Sequence, residues 1–302
     1  MHAAVLRYFA VVARTGSIRR ASQELNVASS AISRQIQKLE ESFGQALFER
    51  LPGGLRLTAA GRVVLEHAER TLHDFALLRG ALGELAGQRT GTVSIATLDS
   101  LMVSFLPEQI ARFNAANAAV DFRVHAGFHP EIAAMVAEGA ADIGLTFNLA
   151  HPEDLVLTSE VEMPVMAMVA PGHPLAGLPE VTLEECSRHN LLLHFDSAVI
   201  RSLIEVQLSA LERGGRVLMR SNNLMMHKAM LMQGAGVAFF TPLGMSEEIR
   251  DGRIVAIPLQ GTRLGALRLG LLLPRRRQLT PAVRALADQL GEALQALRVP
   301  GR

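Results

Sequence analysis

The sequence predicts an α/β chain in three parts, and three observations carry that prediction. Two short helical patterns meet across a tight turn near the start and lead into a Pro52-Gly53-Gly54 hairpin. One unbroken helical pattern then runs from Ala59 to about Gly87, and from Gly91 onward short apolar runs alternate with helical segments. These read as a winged helix-turn-helix domain over 1–58, a linker helix with a hinge over 59–90, and two α/β lobes over 91–302. Lobe I covers about 91–162 and 266–302, and lobe II about 163–265.

A length of 302 residues suits two or three folding units. With 49% hydrophobic and 20% charged residues the composition is that of a soluble protein, and the longest apolar runs, such as Leu267 to Leu273, are strand-sized. The start lacks a basic region followed by an apolar run and a cleavage site, so the expected location is the cytoplasm. The single cysteine, Cys186, excludes an intrachain disulfide and reads as a small buried hydrophobe. The net charge of +1 conceals a split: residues 1 to 90 carry 12 Lys/Arg against 8 Asp/Glu, and the remainder 18 against 21. Polyanion binding, if present, belongs to the first part.

Val5, Leu6, Phe9, Ala10 and Val12 form the apolar stripe of a first helix, ended by Thr15-Gly16. Ser17 caps a second helix through Leu25, and Asn26 closes it in a left-handed turn. A third helix, about Ser29 to Phe43, buries Ile32, Ile36 and Leu39 and shows Ser29, Ser30, Ser33, Arg34, Gln37 and Lys38 on its other face. Hydroxyl side chains allow close approach to phosphates, and Arg34 can fork onto guanine or a phosphate. A solvated helix in a small bundle is the alternative on pattern alone. The run Leu47-Phe48-Glu49-Arg50, the hairpin, and Leu55-Arg56-Leu57-Thr58 add the wing.

The order Phe9, Gly16-Ser17, Ala21, Leu25, Ala31-Ile32-Ser33-Arg34-Gln35-Ile36, Leu39-Glu40, Gly44, Leu47-Phe48-Glu49-Arg50 and Leu57-Thr58-Ala59-Ala60-Gly61 resembles the DNA-binding signature of LysR-type transcriptional regulators. The resemblance implies a dimeric regulator whose C-terminal domain binds a small molecule and resembles periplasmic solute-binding proteins. Two positions depart from the family pattern: Ser29 stands where a base-reading glutamine is frequent, and Leu51-Pro52-Gly53-Gly54 replaces a wing that often carries arginines. The expected DNA-binding set is Ser17, Ser29, Ser30, Ser33, Arg34, Lys38, Arg50 and Arg56, with Ser29 and Ser30 nearest the bases.

In the linker, Val63, Val64, Leu65, Ala68, Leu72, Phe75, Ala76, Leu78, Leu82 and Leu85 recur near heptad intervals. They pack either on their own domain or, as the resemblance supports, on the same helix of a second subunit, which spaces two recognition helices for a two-fold symmetric site. Beyond it, strands are expected at 92–97, 120–126, 142–146, 165–169, 191–194, 217–220, 236–239 and 266–273. Helices are expected at 101–116, 130–138, 199–213, 224–233 and 280–297, a rhythm that predicts parallel sheets. The last strand and helix return to the first sheet, with crossings near 161–165 and 260–266.

Ligands in such folds bind where strand C-termini meet helix N-termini between lobes. That rule selects Asp99, Ser100, Phe128, His129, Phe147, His194, Asp196, Asn222 and Thr241 as effector-binding candidates. Each has a competing structural role. Ser197 and Asn222 suit helix caps, Phe128 and Phe147 suit core, and His129 and His194 suit polar surface. For Ser100 the resemblance favours ligand contact. Asp99 opposes a carboxylate effector, and Phe147 stands at a position where the resemblance implies that relatives can offer arginine, so the expected effector is neutral, amino-bearing or partly aromatic. Arg275-Arg276-Arg277 reads as a solvated loop, and the Met-rich run Leu224 to Met232 as one packed helix face.

The function this supports is effector-controlled transcription regulation. Expected partners are operator or promoter DNA, a small-molecule effector, a second copy of the chain as a homodimer and as a dimer of dimers, and RNA polymerase; no membrane, metal, cofactor or catalytic residue is expected. The alternative is an α/β enzyme with an incidental N-terminal helical bundle. Against it, Gly234-Ala235-Gly236 precedes a strand rather than opening a helix, and no nucleophile elbow or zinc spacing is present.

Overall fold

Leu6, Phe9 and Val12 recur every third position along α1 (Ala3–Thr15) and are its buried residues, so the apolar stripe becomes the centre of the N-terminal core. The computed structural model describes residues 3–147, 151–194, 215–261 and 267–297, in two compact units that divide between Gly87 and Gln88.

In the first unit, Ser17 caps α2 (Ile18–Leu25) by accepting the Arg20 N–H at 3.4 Å, and Asn26, at φ 53°, ends it. Helix α3 (Ser29–Phe43) buries Ile32, Ile36 and Leu39. Ile32 and Ile36 pack with Val12 and Ala21, and Leu39 with Leu6, Phe9 and Leu47. Strands β1 (Phe48–Leu51) and β2 (Gly54–Leu57) pair antiparallel from Phe48↔Leu57 to Leu51↔Gly54. Gly54 sits at φ 133°, and a Cβ there would lie 2.6 Å from the Gly16 carbonyl, which accepts the Leu55 N–H at 2.8 Å. The hairpin is thereby pinned to the turn between α1 and α2. Helix α4 (Ala59–Leu85) starts at Thr58, whose hydroxyl accepts the Gly61 N–H at 2.9 Å.

The second unit holds two five-stranded sheets. The first contains β3 (Gly91–Thr97), β4 (Val120–Ala126), β5 (Ile143–Phe147), β6 (Leu155–Glu162) and β14 (Arg268–Pro274), in the order β4-β3-β5-β14-β6. The second contains β7 (Met166–Val169), β9 (Leu191–His194), β10 (Val217–Ser221), β11 (Val237–Phe240) and β12 (Val255–Ile257), in the order β10-β9-β11-β7-β12. A short pair joins β8 (Val181–Thr182) to β13 (Leu259–Gln260). Among the described residues the helices are α5 (Phe105–Ala116), α6 (His129–Ala137), α7 (Leu183–Ser187), α8 (Leu224–Met232), α9 (Ser246–Arg250) and α10 (Pro281–Ala296).

Several expectations need correction. The sheets are mixed: β14 runs antiparallel to β5 and β6, and β7 antiparallel to β11 and β12. Strand β6 escapes sequence reading because its half-exposed pattern lacks a continuous apolar run. The helix expected from Leu101 instead begins at Phe105, after a 3₁₀ turn at Asp99–Met102, which places Pro107 in a first turn where its missing N–H is harmless. On α8 the buried residues are Leu224, His227, Lys228 and Leu231, while Met225, Met226 and Met232 are exposed, so of its methionines only Met230 packs on the core. Arg275 and Arg276 are exposed in a bend, as expected, although Arg275 also donates to the Glu153 and Leu155 carbonyls; Arg277 departs from the expectation, half-buried and donating to the Ala141 carbonyl at 3.0 Å. The expected helix at 199–213 lies outside the described residues, as does most of the second crossing. No helix among the described residues is long and apolar enough to cross a membrane.

Candidate functional site

The exposed face of α3 and the hairpin form the candidate nucleic-acid interface. Ser29, Ser30, Arg34, Lys38, Arg50 and Arg56 are exposed, and Ser33 is half-buried. Ala28, at the N-cap of α3, offers no side-chain acceptor, so the positive end of that helix faces outward without an internal anion. Arg34, Lys38 and Arg50 form no ion pair among the described residues. Arg56 does: its guanidinium donates to Glu49 at 2.7 Å, which holds the Glu49 carboxyl below its ordinary range. Ser17 is committed as a helix cap. Arg19 and Arg20, exposed in the first turn of α2, add positive charge that sequence reading passed over. Their position beside the cap residue was the available signal.

The second candidate lies between the lobes of the C-terminal unit. One pocket is lined by Asp99, Ser100, Phe128, His129, Phe147, His194 and Thr241 from the sequence-derived set, joined by Leu98, Val165, Phe239 and Phe240. Asp99 and Ser100 follow β3, Phe128 caps α6, Phe147 ends β5, and His194 ends β9. Asn222 is exposed and outside this lining, and the cap of α8 is its neighbour Asn223, which accepts the Met226 N–H at 3.1 Å. Asp196 and Ser197 lie outside the described residues. His129 is buried, with Nδ1 at 3.1 Å from Thr146 Oγ1, so it is not polar surface.

An aromatic group surrounds His194. Phe128 meets it edge-on at 5.2 Å, Phe240 at 6.1 Å, and the His227 ring lies parallel to it at 5.9 Å. His227 is fully buried, its Nδ1 3.0 Å from the Asn223 carbonyl. Sequence reading missed it, since nothing in the Met-rich run marks it. Burial pushes the Asp99 carboxyl above its ordinary range, opposed by His194, by the Ser100 backbone N–H and by His227. Beside the pocket the lobes touch directly: Ser104 Oγ and Ser246 Oγ are 3.1 Å apart, and a Cβ on Gly244 would lie 3.1 Å from that of Ser100. No group of three or more His, Cys, Asp or Glu suited to a metal ion occurs among the described residues.

A winged helix-turn-helix and a two-lobed unit with an inter-lobe pocket on one chain define a DNA-binding regulator with an effector-binding domain. Residues 4–62 match the family model for the bacterial regulatory helix-turn-helix protein of the lysR family, and residues 86–295 match that for the LysR substrate binding domain. The chain belongs to the LysR family of transcriptional regulators. It is 30% identical over 263 residues to the HTH-type transcriptional regulator CbbR of Sinorhizobium medicae, covering 85% of this chain and 82% of that one. Full-length OxyR from Pseudomonas aeruginosa shares the fold at a TM-score of 0.70 and 18% identity, over 99% of this chain and 96% of that one. CbnR, solved in complex with its target DNA, does so at 0.62 and 20%, over 97% of this chain and all of that one.

Proposed function

We propose that this chain acts in the cytoplasm as a homodimer, or a dimer of dimers, which binds a two-fold symmetric operator through paired α3 helices and answers to a small molecule held at Asp99 and Ser100. The carrying observation is the exposed α3 face, where Arg34 and Lys38 stand without an internal partner beside an open helix N-terminus. Such groups engage phosphates, while Ser29 and Ser30 at the helix start reach base edges. Arg50 and the Glu49-paired Arg56 extend the basic surface onto the wing. Pairing through the exposed apolar positions of α4 fixes the spacing of the two recognition helices.

Effector binding between the lobes biases their closure, and hence the geometry of the paired winged units and the access of RNA polymerase. Regulation is favoured over enzyme chemistry because both parts of the chain match models of a regulator family. The test is a salt series of binding to the intergenic DNA beside the chain's own gene. Arg34→Ala should weaken binding and lower the salt slope by about 1 if it meets a phosphate, or lose roughly 1–3 kcal/mol of discrimination at one base pair if it reads a base. Wild-type binding without salt dependence refutes the DNA-contact assignment.

A further inference from the structure

We infer that the inter-lobe pocket takes a small organic amine, with Asp99 as counter-ion and the rings of Phe128, Phe147 and Phe240 around its apolar body. This rests on reading the pocket as the effector site. Three observations carry it further.

First, the described lining residues include one carboxylate and neither lysine nor arginine. Asp99 forms no ion pair with a lysine or arginine among the described residues; the side chains that offset its charge there are His194 and His227, and above the ordinary histidine range an ionised Asp99 leaves net negative charge beside an apolar cavity. A cationic ligand neutralises that charge, whereas a carboxylate ligand repels it. Burial raises the Asp99 carboxyl above its ordinary range, and a bound ammonium would offset that desolvation by charge pairing.

Second, aromatic rings dominate the wall. A cation within about 6 Å of a ring centroid gains from the negative face of the ring, and the body of the ligand gains from leaving water. An anion gains nothing from the ring faces.

Third, the cavity is small. About 70 Å³ is open to the centres of water-sized molecules. At roughly 10–15 Å³ per water, five to seven waters fit. One amino group on a ring or a short branched chain suits that space.

The full-length protein is titrated, at constant ionic strength and a pH above the ordinary histidine range, with benzylamine, benzyl alcohol and benzoate, and with cyclohexylamine, cyclohexanol and cyclohexanecarboxylate. Melting midpoints and calorimetric affinities are read on wild type, Asp99→Asn and Phe128→Ala. The amines should bind at least tenfold more tightly than the alcohols, and the carboxylates should leave the midpoint unchanged. Asp99→Asn should bring the amines down to the alcohols, while Phe128→Ala weakens amine and alcohol alike. Carboxylates that bind as well as the amines, amine affinity untouched by Asp99→Asn, or no response to either amine at millimolar concentration overturns the amine assignment. If carboxylates bind and Phe128→Ala abolishes their binding, the pocket remains the effector site. If no ligand's binding responds to Phe128→Ala, that reading falls as well.

Discussion

The Glu40 carboxylate on α3 accepts the backbone N–H of Leu47 at 2.7 Å and, with the same oxygen, that of Phe48 at 3.2 Å. One side chain therefore ties α3 to the first strand of the hairpin, at the point where Leu47 enters the core. Glu40→Ala leaves two N–H groups without their acceptor, at roughly 1–3 kcal/mol for a buried orphan. A loss near 2 kcal/mol in the N-terminal unit is expected, with faster hydrogen exchange at Leu47 and Phe48. Glu40→Gln keeps an acceptor and should recover about half. Unchanged exchange at both amides would count against the tie.

Helix α4 leaves Phe75, Leu78, Leu82 and Leu85 exposed, with Leu85 at 86%. Their spacing of three and four residues is that of a coiled-coil seam, and a single chain leaves it in water. Leu78→Glu with Leu82→Glu should shift the protein toward monomer in sedimentation equilibrium. Affinity for a two-fold DNA site should fall at least tenfold, while a half-site is bound as before. A double variant that still sediments as wild type shows that α4 does not make the dimer.

Asp99 gives stability a pH dependence whose sign follows from burial. Its carboxyl is raised above its ordinary value in the fold, so the folded chain holds the proton more tightly than the unfolded one. The stability it contributes is fully present below the unfolded value and is lost as pH rises through the raised folded value. Asp99→Asn lacks this loss. The stability of wild type relative to Asp99→Asn should therefore fall from about pH 4 upward and level off once Asp99 is ionised. Urea unfolding across that range measures it, and a difference that grows with pH contradicts the assignment.

Cys186 lies fully buried in α7, and burial, reinforced by Glu185, pushes its thiol up to about 12. Thiolate is the reactive form. Native protein at pH 8 should consume less than about a hundredth of the thiol reagent that unfolded protein consumes in the same time. Stoichiometric labelling of the folded chain would show a reactive thiol instead.

Much of this arrangement was legible in the sequence, because caps and periodicity are local. Ser17 and Asn26 mark their helix ends through side-chain and left-handed backbone chemistry. The rule that places ligands at strand ends picked out Asp99, Ser100, Phe128 and His194 around one pocket without any motif. What escaped depends on tertiary partners. Leu98, Val165 and Phe239 read as core until the lobes are placed, and His129 reads as surface until Thr146 is seen beside it. Asn222 and Asn223 are equivalent as letters, and backbone geometry makes Asn223 the cap. The antiparallel entry of β14 between β5 and β6 follows from a chain return that no local pattern encodes.

Lys228 on α8 and Glu248 on α9 form an ion pair at 2.8 Å with side chains only 4% and 9% exposed. Arg253, the other nearby cation, stands 3.9 Å from Glu248 and is itself half exposed. Removing one member of a buried pair strands the other in a low-dielectric interior, and costs about 3–5 kcal/mol. Replacing both by apolar residues of similar size removes the desolvation penalty as well and is often neutral. Lys228→Met should accordingly destabilise the C-terminal unit by roughly 3 kcal/mol, and Lys228→Met with Glu248→Leu should recover most of that. Because His227, the neighbour of Lys228, stacks on the pocket residue His194, the single variant should also weaken ligand binding where the double variant does not. Denaturant unfolding of the full chain together with ligand titration separates these effects. A double variant no more stable than Lys228→Met would mean that the pair is held by Arg253 and its surroundings rather than by mutual neutralisation.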